Sequence, residues 1–180
     1  MSRRKKNQSD PEQAAESLLE KYRISAPAVP VDRIAKQEGA RIQYGPLDRE
    51  LSGMFFFKDD APVIGVNSLH HPNRQRFTIA HELAHMLLHS EQLAQGVHVD
   101  KEHAILWRDA MAASGTDSIE IEANRFASYL LVPSFILDKI IGDDFKATDD
   151  EVESLAKRFK VSTTMMQLRL QKWLSERNGP

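Results

Sequence analysis

The stretch Arg76-Phe77-Thr78-Ile79-Ala80-His81-Glu82-Leu83-Ala84-His85-Met86-Leu87-Leu88-His89 decides how the rest of the chain is read. Phe77, Ile79, Ala80, Leu83, Ala84, Met86, Leu87 and Leu88 leave little room for a solvated face, so the pattern predicts a helix inside the fold. Polar side chains on such a helix are costly unless something satisfies them. His81 and His85 stand one helical turn apart, so both imidazoles leave the same face and can grip one ion. Glu82 is turned off that axis, where it reaches a water at the ion rather than the ion itself.

Composition narrows the setting of that helix. Hydrophobic residues make up 41% and charged residues 28% of the 180, the mix of a soluble globular domain. A net charge of -2 gives no global pull towards nucleic acid or an anionic membrane. With no cysteine, disulfides and thiolate sites are excluded, and any metal must be held by His, Asp or Glu. The basic start, Met1-Ser2-Arg3-Arg4-Lys5-Lys6, runs into polar Asn7-Gln8-Ser9-Asp10, where a signal peptide needs an apolar core. No stretch has transmembrane length without charge, so the expected location is cytoplasmic.

Upstream, Asp10 and Pro11 open a helix running to about Tyr22. Asp32 is expected to cap a short helix that ends at Gly39. Ala40 to Tyr44, Leu51 to Phe57 and Val63 to Val66 read as three strands, the last two joined at Lys58-Asp59-Asp60. Phe55-Phe56-Phe57 fills core or edge-strand positions. Pro72-Asn73 opens the central helix, with His70 and His71 as turn residues before it. Residues 91–116 show no clear pattern, and a loop of that length is functional or hides short elements. Helices follow from Asp117 to about Leu131, Ser134 to Ile141, after the capping sequence Thr148-Asp149-Asp150-Glu151, and from Thr163 to about Trp173, with Met165-Met166 in the core. The expected class is α+β, with a small, mainly antiparallel three-stranded sheet on a helical bundle.

His-Glu-x-x-His is the arrangement of zinc hydrolases, but two histidines do not complete such a site. The metzincin pattern needs a glycine and then a third histidine further on. Leu88 and Glu91 stand at those places and exclude it. The alternative is a carboxylate from a later helix, and Glu120 and Glu122 are both available. Glu120 is preferred, because Asn124 lies one turn beyond it and can hydrogen-bond a ligand histidine and fix its tautomer. Glu122 points about 200° away, at roughly 100° per residue. Against this, Asp117 and Glu120 have the spacing of a capping box, with Glu122 then the fallback ligand. His89 reads as a helix C-terminal residue favoured by the macrodipole. His98 and His103 read as surface histidines, with an oxyanion contact as the alternative. The expected ion is zinc, with manganese or another divalent ion compatible with the ligands. His81, His85 and Glu120 would hold it and Glu82 would act as general base in peptide hydrolysis.

Taken together, these residues resemble the ImmA/IrrE family of metallo-endopeptidases. The match rests on Arg76 to His85 and on Glu120-Ile121-Glu122-Ala123-Asn124-Arg125-Phe126-Ala127-Ser128-Tyr129-Leu130-Leu131-Val132-Pro133. Pro30-Val31-Asp32-Arg33-Ile34-Ala35, Leu51-Ser52-Gly53-Met54 and Leu155-Ala156-Lys157-Arg158-Phe159-Lys160-Val161-Ser162 are similar too. The resemblance implies a gluzincin-like zinc protease that cuts a partner repressor or antitoxin at one site and so relieves repression, in mobile elements or stress responses. The larger radiation-response members carry a further C-terminal sensor-like domain, so the expectation is a compact phage-, mobile-element- or toxin–antitoxin-linked member. The expected organisation is a disordered basic tail over 1–9, a zinc metallopeptidase domain over 10–145 and a helix–turn–helix-like segment over 146–180. In that segment Lys157, Arg158, Lys160, Arg169 and Lys172 are nearly balanced by Asp149, Asp150, Glu151, Glu153 and Glu176. That balance argues against direct DNA binding and for a structural or repressor-docking role. The competing readings are a metal-stabilised binding partner that works without proteolysis and a DNA-binding regulator.

Overall fold

A computed structural model describes residues 10–93, 97–101, 115–142 and 145–178. The expected tail over 1–9 and His103 lie outside the described residues. Helix α1 (Pro11–Lys21) is capped by Asp10, whose carboxylate accepts the Glu12 backbone N–H at 3.3 Å. Helix α2 (Val31–Gln37) corrects one expectation: its N-cap is Pro30, not Asp32. The Pro30 carbonyl already accepts the Ile34 N–H at 3.0 Å, so the helix starts before Asp32, which sits in the first turn and favours the dipole there.

The sheet has four strands rather than three, and it is mixed. Strands β1 (Arg41–Gly45), β2 (Leu51–Lys58) and β3 (Ala61–Asn67) occupy the three expected stretches. The fourth, β4 (His98–Lys101), comes from the stretch that shows no pattern in sequence, after the short helix α4 (Ser90–Leu93). The order is β1-β3-β2-β4, with β1 parallel to β3 and the other two pairings antiparallel. The β2–β3 hairpin turns at Asp59 and Asp60, both at positive φ (53° and 59°), the conformation of a tight two-residue turn. In the β2–β3 ladder Phe55 faces Ile64 and Gly53 faces Val66, and these residues form the inner face of the sheet.

The long helix α3 (Pro72–Leu88) lies across that inner face. The His71 ring caps it, its Nδ1 accepting the Asn73 N–H at 3.2 Å. From Phe77 to Met86 every residue of α3 is buried, as an all-round apolar helix requires. Its other side packs on α5 (Gly115–Leu131), where Ala80 and Ala84 on α3 and Ala123 and Ala127 on α5 are fully buried. Small residues in facing positions let the two backbones come close. Asp117 lies within α5, two residues after its first residue Gly115. Fully buried Ile79, Leu83, Phe126 and Leu130 surround this contact, each worth about 1.5–3 kcal/mol of burial.

Three further helices close the bundle: α6 (Ser134–Ile140), α7 (Asp149–Phe159) and α8 (Thr163–Asn178). Thr148 and Glu151 form the expected capping box, and α7 ends at Lys160 in the left-handed conformation. α8 runs past the expected end at Trp173. Met165 and Met166 are core residues, while in the Phe55-Phe56-Phe57 run only Phe55 is fully buried. Arg169 is buried, and its Nε donates to the Val132 carbonyl at 3.0 Å. Lys172 pairs with Glu12 of α1, and the Trp173 Nε1–H donates to Asp138 at 2.9 Å. Among the described residues no helix is long and apolar enough to cross a membrane.

Candidate metal centre

The contact between α3 and α5 brings His81, His85 and Glu120 together. The two Nε2 atoms are 3.0 Å apart. Glu120 offers Oε2 at 3.2 Å to His81 Nε2 and Oε1 at 3.3 Å to His85 Nε2. β4 adds a fourth member that sequence reasoning placed on the surface. His98 Nε2 lies 3.1 Å from Glu120 Oε1, and its ring centre is 4.2 Å from that of His85. His98 is opposite Phe55 in the ladder, so it shares the inner face of the sheet. One donor atom from each of His81, His85, His98 and Glu120 falls within 4.8 Å of the others. Only long-range pairing of β4 with β2 creates this neighbour, and spacing along the chain carries no sign of it.

The donor set fits a divalent cation. The Asn124 side-chain oxygen accepts the His81 Nδ1–H at 3.0 Å, so the neutral ring keeps a lone pair at Nε2. That lone pair faces another imidazole nitrogen and a carboxylate, an arrangement that repels itself unless a cation lies between. Burial pushes His85 down to about 4, which keeps the ring neutral and ligand-competent at ordinary pH. His81 and His85 are fully buried, whereas the Glu120 side chain is 30% exposed, so the cluster opens to solvent on one side.

Glu122 does not join this group. It stays on the α3 side of α5 but meets the end of α3, where its Oε2 is 3.0 Å from His89 Nε2. His89 is the C-cap of α3, as a helix-end residue should be, but its side chain is buried and its Nδ1 is 3.1 Å from His85 Nδ1. Charge–dipole reasoning at the helix end gave no hint of those contacts. Glu82 is fully buried on the side of α3 that faces β2. Gly53 makes that approach possible: a Cβ there would collide with the Thr78 methyl group and come within 3.3 Å of Glu82 Oε1.

Comparison with known proteins gives this arrangement a family. The IrrE N-terminal-like domain model matches residues 35–171. A radiation response metalloprotease IrrE of Deinococcus deserti is 35% identical over 103 residues, covering 57% of this chain and 33% of the relative. Its counterpart in Deinococcus radiodurans is 32% identical over 110 residues, covering 60% and 30%. The chain thus spans about a third of the length of these two relatives. An uncharacterized immunity region protein 2 of Bacillus phage phi105 is 25% identical over 136 residues, covering 76% of this chain and 77% of that protein. A Mycobacterium tuberculosis transcriptional regulator shares the fold, with a TM-score of 0.58 at 18% identity over 90% of this chain and 55% of its own. With its His/His/His/Glu cluster, the chain belongs to the IrrE N-terminal-like, or ImmA/IrrE-like, metalloprotease family.

Proposed function

We propose that the protein is a zinc-dependent endopeptidase that cuts a partner protein, a helix–turn–helix repressor or an antitoxin encoded nearby. The observation that carries the reading is the buried pair His81 and His85 facing Glu120, with Glu82 on the same helix. His81, His85 and Glu120 are the proposed ligands. Zinc held there supplies a Lewis acid that polarises a peptide carbonyl and brings the pKa of water towards neutrality. Glu82 takes the proton as water adds to the carbonyl carbon and delivers it to the amine as the C–N bond breaks. The Glu82 side chain is fully buried, on the side of α3 that faces β2.

The transcriptional setting draws on the family relatives and on what α7 and α8 do with their charges. Arg169 is used internally, Lys172 is paired with Glu12, and Lys157 is paired with Glu153 at 2.6 Å. Those cations are engaged, which favours a structural or docking role for residues 146–180 over phosphate binding.

His98 supports one second reading. If it closes the set as a fourth ligand, the metal is structural and the protein works as a binding partner. Co-expression with the neighbouring regulator separates the two. The protease reading expects a discrete cleavage product that disappears in Glu82→Gln, with zinc retained. It also expects His98→Ala to keep zinc. Regulator loss unchanged in Glu82→Gln, together with zinc loss in His98→Ala, favours the closed site.

A further inference from the structure

We infer that Glu122 and His89 are positioning residues for the metal: together they lock His85 in the one tautomer that presents Nε2 to an ion. The inference rests on the metal reading above and adds two residues to it. Three contacts carry it. Glu122 Oε2 is 3.0 Å from His89 Nε2, His89 Nδ1 is 3.1 Å from His85 Nδ1, and His85 Nε2 is 3.3 Å from Glu120 Oε1. Both histidine side chains are fully buried, so no water takes over these contacts.

The direction of the chain follows from what each group can donate. A carboxylate only accepts, so the proton in the Glu122–His89 contact sits on His89 Nε2. A neutral His89 then has a bare Nδ1, which accepts. His85 must therefore donate from Nδ1, and its remaining lone pair lies on Nε2, the atom turned towards Glu120 and His81. Starting from Glu122, every proton position is set, and the last one leaves a ligand atom. The neighbouring ligand reaches the same state by a shorter route, since Asn124 alone accepts the His81 Nδ1–H. Such outer partners fix ring orientation and ligand basicity, and losing one costs about 10–100-fold in metal affinity.

The shorter route suggests the discriminating variant. An asparagine oxygen occupies nearly the position of a histidine Nδ1, so His89→Asn keeps an acceptor for His85, whereas His89→Phe keeps the bulk and removes the acceptor. Zinc affinity by chelator competition, with melting of the zinc-free proteins in parallel, reads the difference. The expected result is affinity about 10–100-fold weaker in His89→Phe and only part of that loss in His89→Asn, which keeps the acceptor for His85 but gives up the Glu122 contact. Equal loss in both overturns the inference in favour of packing. Long-range 15N–1H spectra of the zinc-free wild type test it without any variant. Protons on His85 Nδ1 and His89 Nε2 support it, and a proton on His85 Nε2 or only on His89 Nδ1 overturns it. Zinc binding unchanged in His89→Phe defeats this inference alone. A wild type that takes up no zinc defeats the metal reading and this inference with it.

Discussion

The two sides of the metal centre are built differently. The back, where α3 meets α5, is dry and bonded in depth: His81 leans on Asn124, and His85 on His89 and Glu122. The front, where α3 meets β2 and β4, holds Glu82 over a bare glycine and a single histidine from a four-residue strand, beside the partly exposed Glu120. A site that holds an ion needs rigid, satisfied ligands, and the back supplies them. On the front the cluster's exposure is confined to the outer parts of Glu120 and His98, 30% and 13% exposed. Under the proposed function, the contrast would place metal retention on one wall and turnover on the other.

The largest effect comes from attacking turnover alone. Glu82→Gln is expected to lower cleavage by about 10²–10⁴-fold while leaving zinc content unchanged, measured by product formation beside metal analysis. If zinc is lost as well, the two walls are not separable. Asn124→Leu attacks only the back, and zinc affinity is expected to fall by about 10–100-fold, read by chelator competition. Gly53→Ala tests the front, where the new methyl group meets Thr78 and the Gly65 carbonyl. The expected destabilisation is about 1–3 kcal/mol, seen as a lower midpoint in urea, with cleavage reduced further because β2 no longer seats against Glu82.

Acidity gives the smallest effect and probes the back again. In the zinc-free chain His85 takes up a proton at about 4 when folded, against 6.5 when unfolded. Between those values the unfolded chain binds more protons, so stability falls as the pH drops through that window and is level above it. Thermal melts of the zinc-free protein from pH 7 to 4 should show the decline, and a flat profile would mean that burial does not hold the ring neutral.

The buried helix with Glu82 and its Asn124 neighbour is legible in sequence; His98 and the His89–Glu122 contact are not. Phe77 to Leu88 is apolar nearly all round, which marks a buried helix, and Asn124 stands one turn from Glu120 on the next one. Those are local regularities. His98 is different: β4 is too short to show alternation, and its place is decided by pairing with β2, far away in sequence. The parallel β1–β3 pairing is likewise a choice of topology that strand composition does not carry. In sequence Glu122 is a rival ligand to Glu120. Its actual partner, His89, emerges only when the two helices are packed, because a turn of 200° says where a side chain leaves but not what it meets. At α2, a proline set the start where a better capping residue stood two positions on.

Diffraction from zinc-loaded crystals at the zinc absorption edge locates the ion. One anomalous peak is expected between α3 and α5, about 2.0–2.2 Å from His81 Nε2, His85 Nε2 and a Glu120 carboxylate oxygen, with Glu122 on His89. A peak ligated by Glu122 or His89, or none at that position in zinc-loaded crystals, would contradict that ligand set.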